Sequence, residues 1–100
     1  GGDFMNLTVS PAELTNAGET ISGLYQKYTN QITEMYALID KVNQSWNDPA
    51  TQNYVEQINS YRSDFALLGT AIEQVGKFLV GSGEIYQRTS EKIGTAASNL

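Results

Sequence analysis

Eleven carboxylates, six tyrosines and many serine and threonine hydroxyls are the side chains of this sequence that could do chemistry. Carboxylates act as acid and base, or hold a metal, when two or more converge. Here Glu13, Glu19, Glu34, Asp40, Glu56, Asp64, Glu73, Glu84 and Glu91 mostly fall between the apolar positions of a helical period, as solvated face charges do. There is no His, which removes the commonest general base and the commonest transition-metal ligand together. The Glu-x-x-His pattern of di-iron bundles therefore cannot occur. There is no Cys, so disulfides, thiolate metal sites and redox motifs are excluded. The hydroxyls have no base to activate them as nucleophiles. Gly81-x-Gly83 is too short a signal for a phosphate cradle, and no glycine-rich loop joins a strand to a helix. The expectation is a protein that is not an enzyme and needs no cofactor or metal.

Charge narrows the partners. The net charge is −5, and the six basic residues (Lys27, Lys41, Arg62, Lys77, Arg88, Lys92) are spread singly. A nucleic-acid surface needs a basic patch or stripe, so nucleic acid is not expected as a partner. No apolar run approaches the roughly 18–20 residues of a membrane span. A hairpin that acts on membranes stays possible but is not favoured, because an acidic chain without a Lys/Arg-rich face has little attraction for anionic lipid. No signal-peptide pattern opens the sequence, so secretion would have to follow another route. Two Asn-x-Ser/Thr matches, at Asn6 and Asn43, are read as chance.

The elements that must position any site are helical. Residues 1–9 form a leader without period, of which Gly1-Gly2 reads as a cloning remnant. Ser10-Pro11-Ala12-Glu13 then supplies a capping hydroxyl, a Pro at the first helical position and a Glu three residues after the cap. Apolar residues follow in steps of three and four from Leu14 through Tyr28 and Met35 to Trp46, predicting one helix over 10–46, roughly 50 Å long. Pro49 pushes Asp48 out of helical geometry, so 47–48 is the turn and Asp48 caps a second helix. That helix, 49–96, carries Tyr54, Ile58, Tyr61, Phe65, Leu68, Ile72, Val75 and Leu79 as a heptad seam, with a weak point at 81–83. A short turn between long helices makes them antiparallel neighbours, so the prediction is an all-α hairpin over 10–97. Ser10 should lie opposite roughly residue 85, leaving the tail beyond it without an internal partner.

One hairpin has too much apolar surface to hide. Tyr25, Tyr36 and Leu38 on the first helix, and Val55, Leu67, Phe78, Val80 and Ile85 on the second, fall off the main seam. Together they would form an interface-sized patch, and two hairpins closing into a four-helix bundle would cover it. Gly69, Gly76 and Gly83 recur every seven residues. They either let another helix approach closely, which adds Gly69 and Gly76 to the dimer interface, or are tolerated surface glycines. The six tyrosines suit seam or interface positions, with an apolar ring and a wet hydroxyl.

Length, two long helices and Ser45-Trp46-Asn47-Asp48-Pro49-Ala50 at a mid-chain turn, followed by Tyr54 and Ile58, resemble the WXG family of small type VII secretion substrates of Gram-positive bacteria. The resemblance covers about residues 8–97. The family pattern has Gly two residues after the Trp, where this chain has Asp48. It also has a C-terminal export signal, a Tyr followed four residues later by Asp or Glu. Here Tyr86 meets Ser90 at that spacing, with Glu91 one residue further. The resemblance implies a homodimer, or a heterodimer with a related hairpin, secreted without a signal peptide. It also implies that Trp46, Asn47 and Asp48 at the turn, with Tyr86 and Glu91 on the tail, form a recognition surface for a secretion ATPase. A structural adaptor bundle unrelated to secretion is the alternative in which the same hairpin pairs for other ends.

Overall fold

The structure, a computed structural model, describes residues 9–98. Residues 1–8, with Gly1-Gly2 and the Asn6 match, and residues 99–100 lie outside the described residues. The regular elements among the described residues are α1 (Pro11–Ser45), α2 (Pro49–Ser60) and α3 (Arg62–Ser98). No strand occurs among the described residues. The chain is an all-α hairpin in which α1 forms one arm and α2 with α3 the other.

The start of α1 is fixed by its own sequence. The Ser10 hydroxyl oxygen accepts the Glu13 N–H at 3.1 Å, satisfying one of the free donors of the first turn. The second arm departs from the sequence reading in two places. Gly81, Ser82 and Gly83 continue the helix without interruption. The arm breaks instead at Tyr61, where neither Gly nor Pro is present. There the Tyr61 N–H bonds the Ile58 carbonyl, three residues back, at 3.1 Å.

The described residues pack as two compact units, 23–72 and 9–22 with 73–98. The core of the first is small: Tyr36 is 5% and Val55 9% exposed. The Tyr36 ring meets Phe65 edge-on at 6.2 Å between centroids. The hydroxyls of Tyr28 and Tyr36 donate to the carbonyls of Phe65 (2.7 Å) and Ile58 (2.8 Å), tying α1 to the returning arm. Gly69 lies under Tyr28, where a Cβ would come within 3.1 Å of the ring.

The second unit is held by backbone proximity. Gly18, Gly76 and Gly83 are buried. A Cβ built on Gly18 would lie 2.7 Å from the Gly76 carbonyl oxygen, and one on Gly76 would lie 2.8 Å from the Ser22 hydroxyl. A Cβ on Gly83 would strike the Thr15 side chain and sit 2.9 Å from the Pro11 carbonyl. The contact explains why the helix survives at 81–83: close packing outweighs the propensity cost of glycine. With Pro11 against Gly83, the last turns of α3 extend past the start of α1, and Glu91–Ser98 are all exposed.

These placements correct part of the sequence reading. Tyr36 and Val55 were expected off the seam, yet they are the buried core. Gly69 and Gly76 do admit a helix closely, but it is the chain's own α1. The reason is geometric. The inner line of the returning arm passes through Val55, Gly69, Gly76 and Gly83, positions seven residues apart or a multiple of it. Half of the supposed seam (Tyr54, Tyr61, Leu68, Val75) consequently turns outward and is exposed.

Candidate functional site

The turn is built by short polar side chains. Asp48 has extended backbone (φ −111°, ψ 164°), and its carboxylate accepts the Thr51 N–H at 2.8 Å, capping α2 with Pro49 at the first helical position. The Gln52 side-chain amide donates to the Oδ1 atoms of both Asn43 and Asn47, clamping the end of α1 to the start of α2. Sequence reasoning missed Asn43 and Gln52, because an amide pair nine residues apart leaves no trace in an apolar period. Neither the φ of Asp48 nor any described residue requires the left-handed backbone that favours glycine, so this turn is specified by capping.

The Asp48 carboxyl is held below its ordinary range, first by the Thr51 backbone N–H. The Thr51 side chain, the Trp46 side chain and the Ala50 N–H act in the same direction. A folded-state value below the unfolded one gives stability that is present above the unfolded pKa, near 3.8, and lost as pH falls through the folded value. Asp48→Ala is therefore expected to melt below the wild type at neutral pH, with the difference vanishing in acid. Thermal melts across pH 2–7 check this, and a pH-independent difference would rule out the charged cap.

Trp46 stands at the same turn and is 61% exposed. Beside it the two arms leave a crevice of about 370 Å³, lined by Met35, Leu38, Ile39, Val42, Trp46, Thr51, Tyr54, Val55 and Ile58. None of these carries a charge. Leu38, Val42 and Tyr54 are exposed with Trp46. On another side of the same unit, a groove of about 660 Å³ is lined in part by Tyr25, Thr29, Thr33, Asp40, Arg62 and Thr70. That groove is also lined by Tyr28, Ile32, Ala37, Phe65 and Ala66, so the two hollows differ in that it holds Asp40 and Arg62 whereas the crevice holds no charge. Leu67, on α3, is also exposed.

Tyr86 and Glu91 belong to the other unit. Tyr86 is half-buried, while Glu91 is exposed and accepts the Gln87 amide at 3.0 Å. Phe78 and Ile85 are exposed on the same helix. Among the described residues, no group of three or more His, Cys, Asp or Glu converges as metal ligands would. No helix among them is long and apolar enough to cross a membrane.

Against known proteins, one family model matches, described as WXG100, proteins of 100 residues with WXG, over residues 6–98. No curated protein and no solved structure matches the chain.

Proposed function

The chain belongs to the WXG100 family of small helical proteins associated with type VII secretion, and on that premise we propose that it is a secreted hairpin acting by protein–protein pairing. Its partner is a second copy or a related helical hairpin, and the product is a four-helix bundle. Members of the family typically form hairpin dimers.

The observation that carries the reading is the surplus of exposed apolar side chains. Thirteen large hydrophobic residues are exposed among the described residues, against two buried ones. A chain of net charge −5 can approach another acidic hairpin closely only through uncharged surface, and the crevice flank supplies it. Leu38, Tyr54 and Leu68, with Leu67 and Phe78, are the exposed anchors of that interface. Tyr25 and the inward-facing Tyr36, Val55, Gly69 and Gly76 support it from behind.

In this reading Trp46, Asn47 and Asp48 present the turn, and Tyr86 with Glu91 presents the tail, to the secretion ATPase. Export follows the type VII route. Trp46→Ala and Tyr86→Ala are expected to remove the protein from culture supernatant while leaving its level in the cell unchanged. Unchanged export of both variants would remove these residues from the recognition surface.

A further inference from the structure

At the break between α2 and α3 the Ser60 hydroxyl donates to the Gln57 carbonyl at 2.5 Å, the oxygen that would accept the Tyr61 N–H in a continuous helix. Ile58-Asn59-Ser60-Tyr61-Arg62 contains neither Pro nor Gly, the residues that usually kink a helix. A second contact on the same turn comes from across the hairpin. The Tyr36 hydroxyl donates to the Ile58 carbonyl at 2.8 Å, and that oxygen would otherwise accept the Arg62 N–H of a continuous helix. The Tyr61 N–H closes on the same carbonyl at 3.1 Å, tightening the turn to a three-residue step. Arg62 is then held where the break leaves it. Its guanidinium lies 4.0 Å from the centroid of the Tyr36 ring, 3.7 Å from the Asp40 carboxylate, and its Nε–H donates to Asn59 Oδ1 at 3.1 Å.

We infer that Tyr36 is a wedge and that the α2–α3 junction is a conformational joint imposed by α1. With the hydroxyl seated on Ile58 the arm is broken at Tyr61; with the hydroxyl withdrawn, the local sequence forms one uninterrupted helix. Withdrawing the hydroxyl would return the Ile58 carbonyl to the Arg62 N–H but strand a buried donor, so the broken state is favoured, and the stacked Arg62 adds to that preference. The joint falls between Tyr54 and Leu68, so it fixes the angle at which α2 and α3 present their exposed side chains.

The test uses the whole chain, with backbone chemical shifts and amide exchange read at Tyr61, Arg62 and Ser63. Tyr36→Phe keeps the ring, its Phe65 contact and the Arg62 stacking but removes the wedge. It is expected to give continuous helical shifts from Pro49 through Ile72 and about tenfold slower exchange at Arg62. Arg62→Gln removes the clamp and is expected to give exchange rates between those of wild type and Tyr36→Phe. A break that persists unchanged in Tyr36→Phe, with Arg62 exchanging as fast as in the wild type, would make it a local property and overturn the inference. Circular dichroism of each variant ensures that the comparison is between folded chains, and neither readout depends on pairing or export.

Discussion

Gly18→Ala is expected to melt well below the wild type, and Gly23→Ala above it. Both glycines sit in the interior of α1, and alanine in place of glycine stabilises an exposed helix interior by about 1 kcal/mol. At Gly23 nothing lies within 4 Å of the new Cβ, so that gain should appear whole, as a rise of roughly 4–8 °C for a chain of this size. At Gly18 the Cβ would be 2.7 Å from the Gly76 carbonyl oxygen, the Val80 nitrogen and the Val80 side chain. Two of these are backbone atoms and cannot rotate aside. The helices must separate, loosening the Gly76 contact with Ser22 as well. Overpacking of this kind costs about 1–3 kcal/mol, enough to reverse the propensity gain. Melts at equal protein concentration check the pair, since association makes the midpoint concentration-dependent. A Gly18→Ala variant as stable as Gly23→Ala would mean the arms are not in backbone contact there.

Leu38→Glu is expected to abolish pairing while leaving the hairpin helical. Leu38 is 62% exposed and lines the uncharged crevice. In a free hairpin the new carboxylate would be hydrated and nearly harmless. In a paired one it would be buried without a partner, which costs about 3–5 kcal/mol, or roughly two to four orders of magnitude in Kd. Thr33→Glu, which adds the same charge beside the groove that already holds Asp40 and Arg62, is expected to change Kd by less than about threefold. Sedimentation equilibrium on the two variants separates the faces. Equal weakening by both would mean general charge repulsion, with no specific role for the Leu38 flank.

The helices and the turn were legible in the sequence because their signals are local. Ser10-Pro11 and Asp48-Pro49 cap and start helices wherever they occur, and the three-and-four spacing of apolar residues needs no partner to be read. The side of each helix that faces inward was less legible. A stripe of large residues looks like the seam, yet a hairpin whose arms meet at Gly18, Gly76 and Gly83 places glycines on the inner line. It turns Tyr54, Tyr61, Leu68 and Val75 outward. Side-chain size marks the core only when a side chain, and not a backbone, fills the gap. The Tyr36 bond to Ile58 and the Gln52 clamp join residues that only the fold brings together. Trp46 and Asp48 could be placed at the turn, and Asp48 read as the cap of the second helix, from sequence alone.

A dilution series followed by circular dichroism and sedimentation bears most directly on the claim that one hairpin leaves its apolar surface unfinished. At micromolar concentrations and above, the chain is expected to sediment as a pair and to be strongly helical. On dilution it should lose mass and helicity together, with a melting midpoint that falls as concentration falls. A monomer that stays fully helical and melts cooperatively at the lowest concentration would contradict the account.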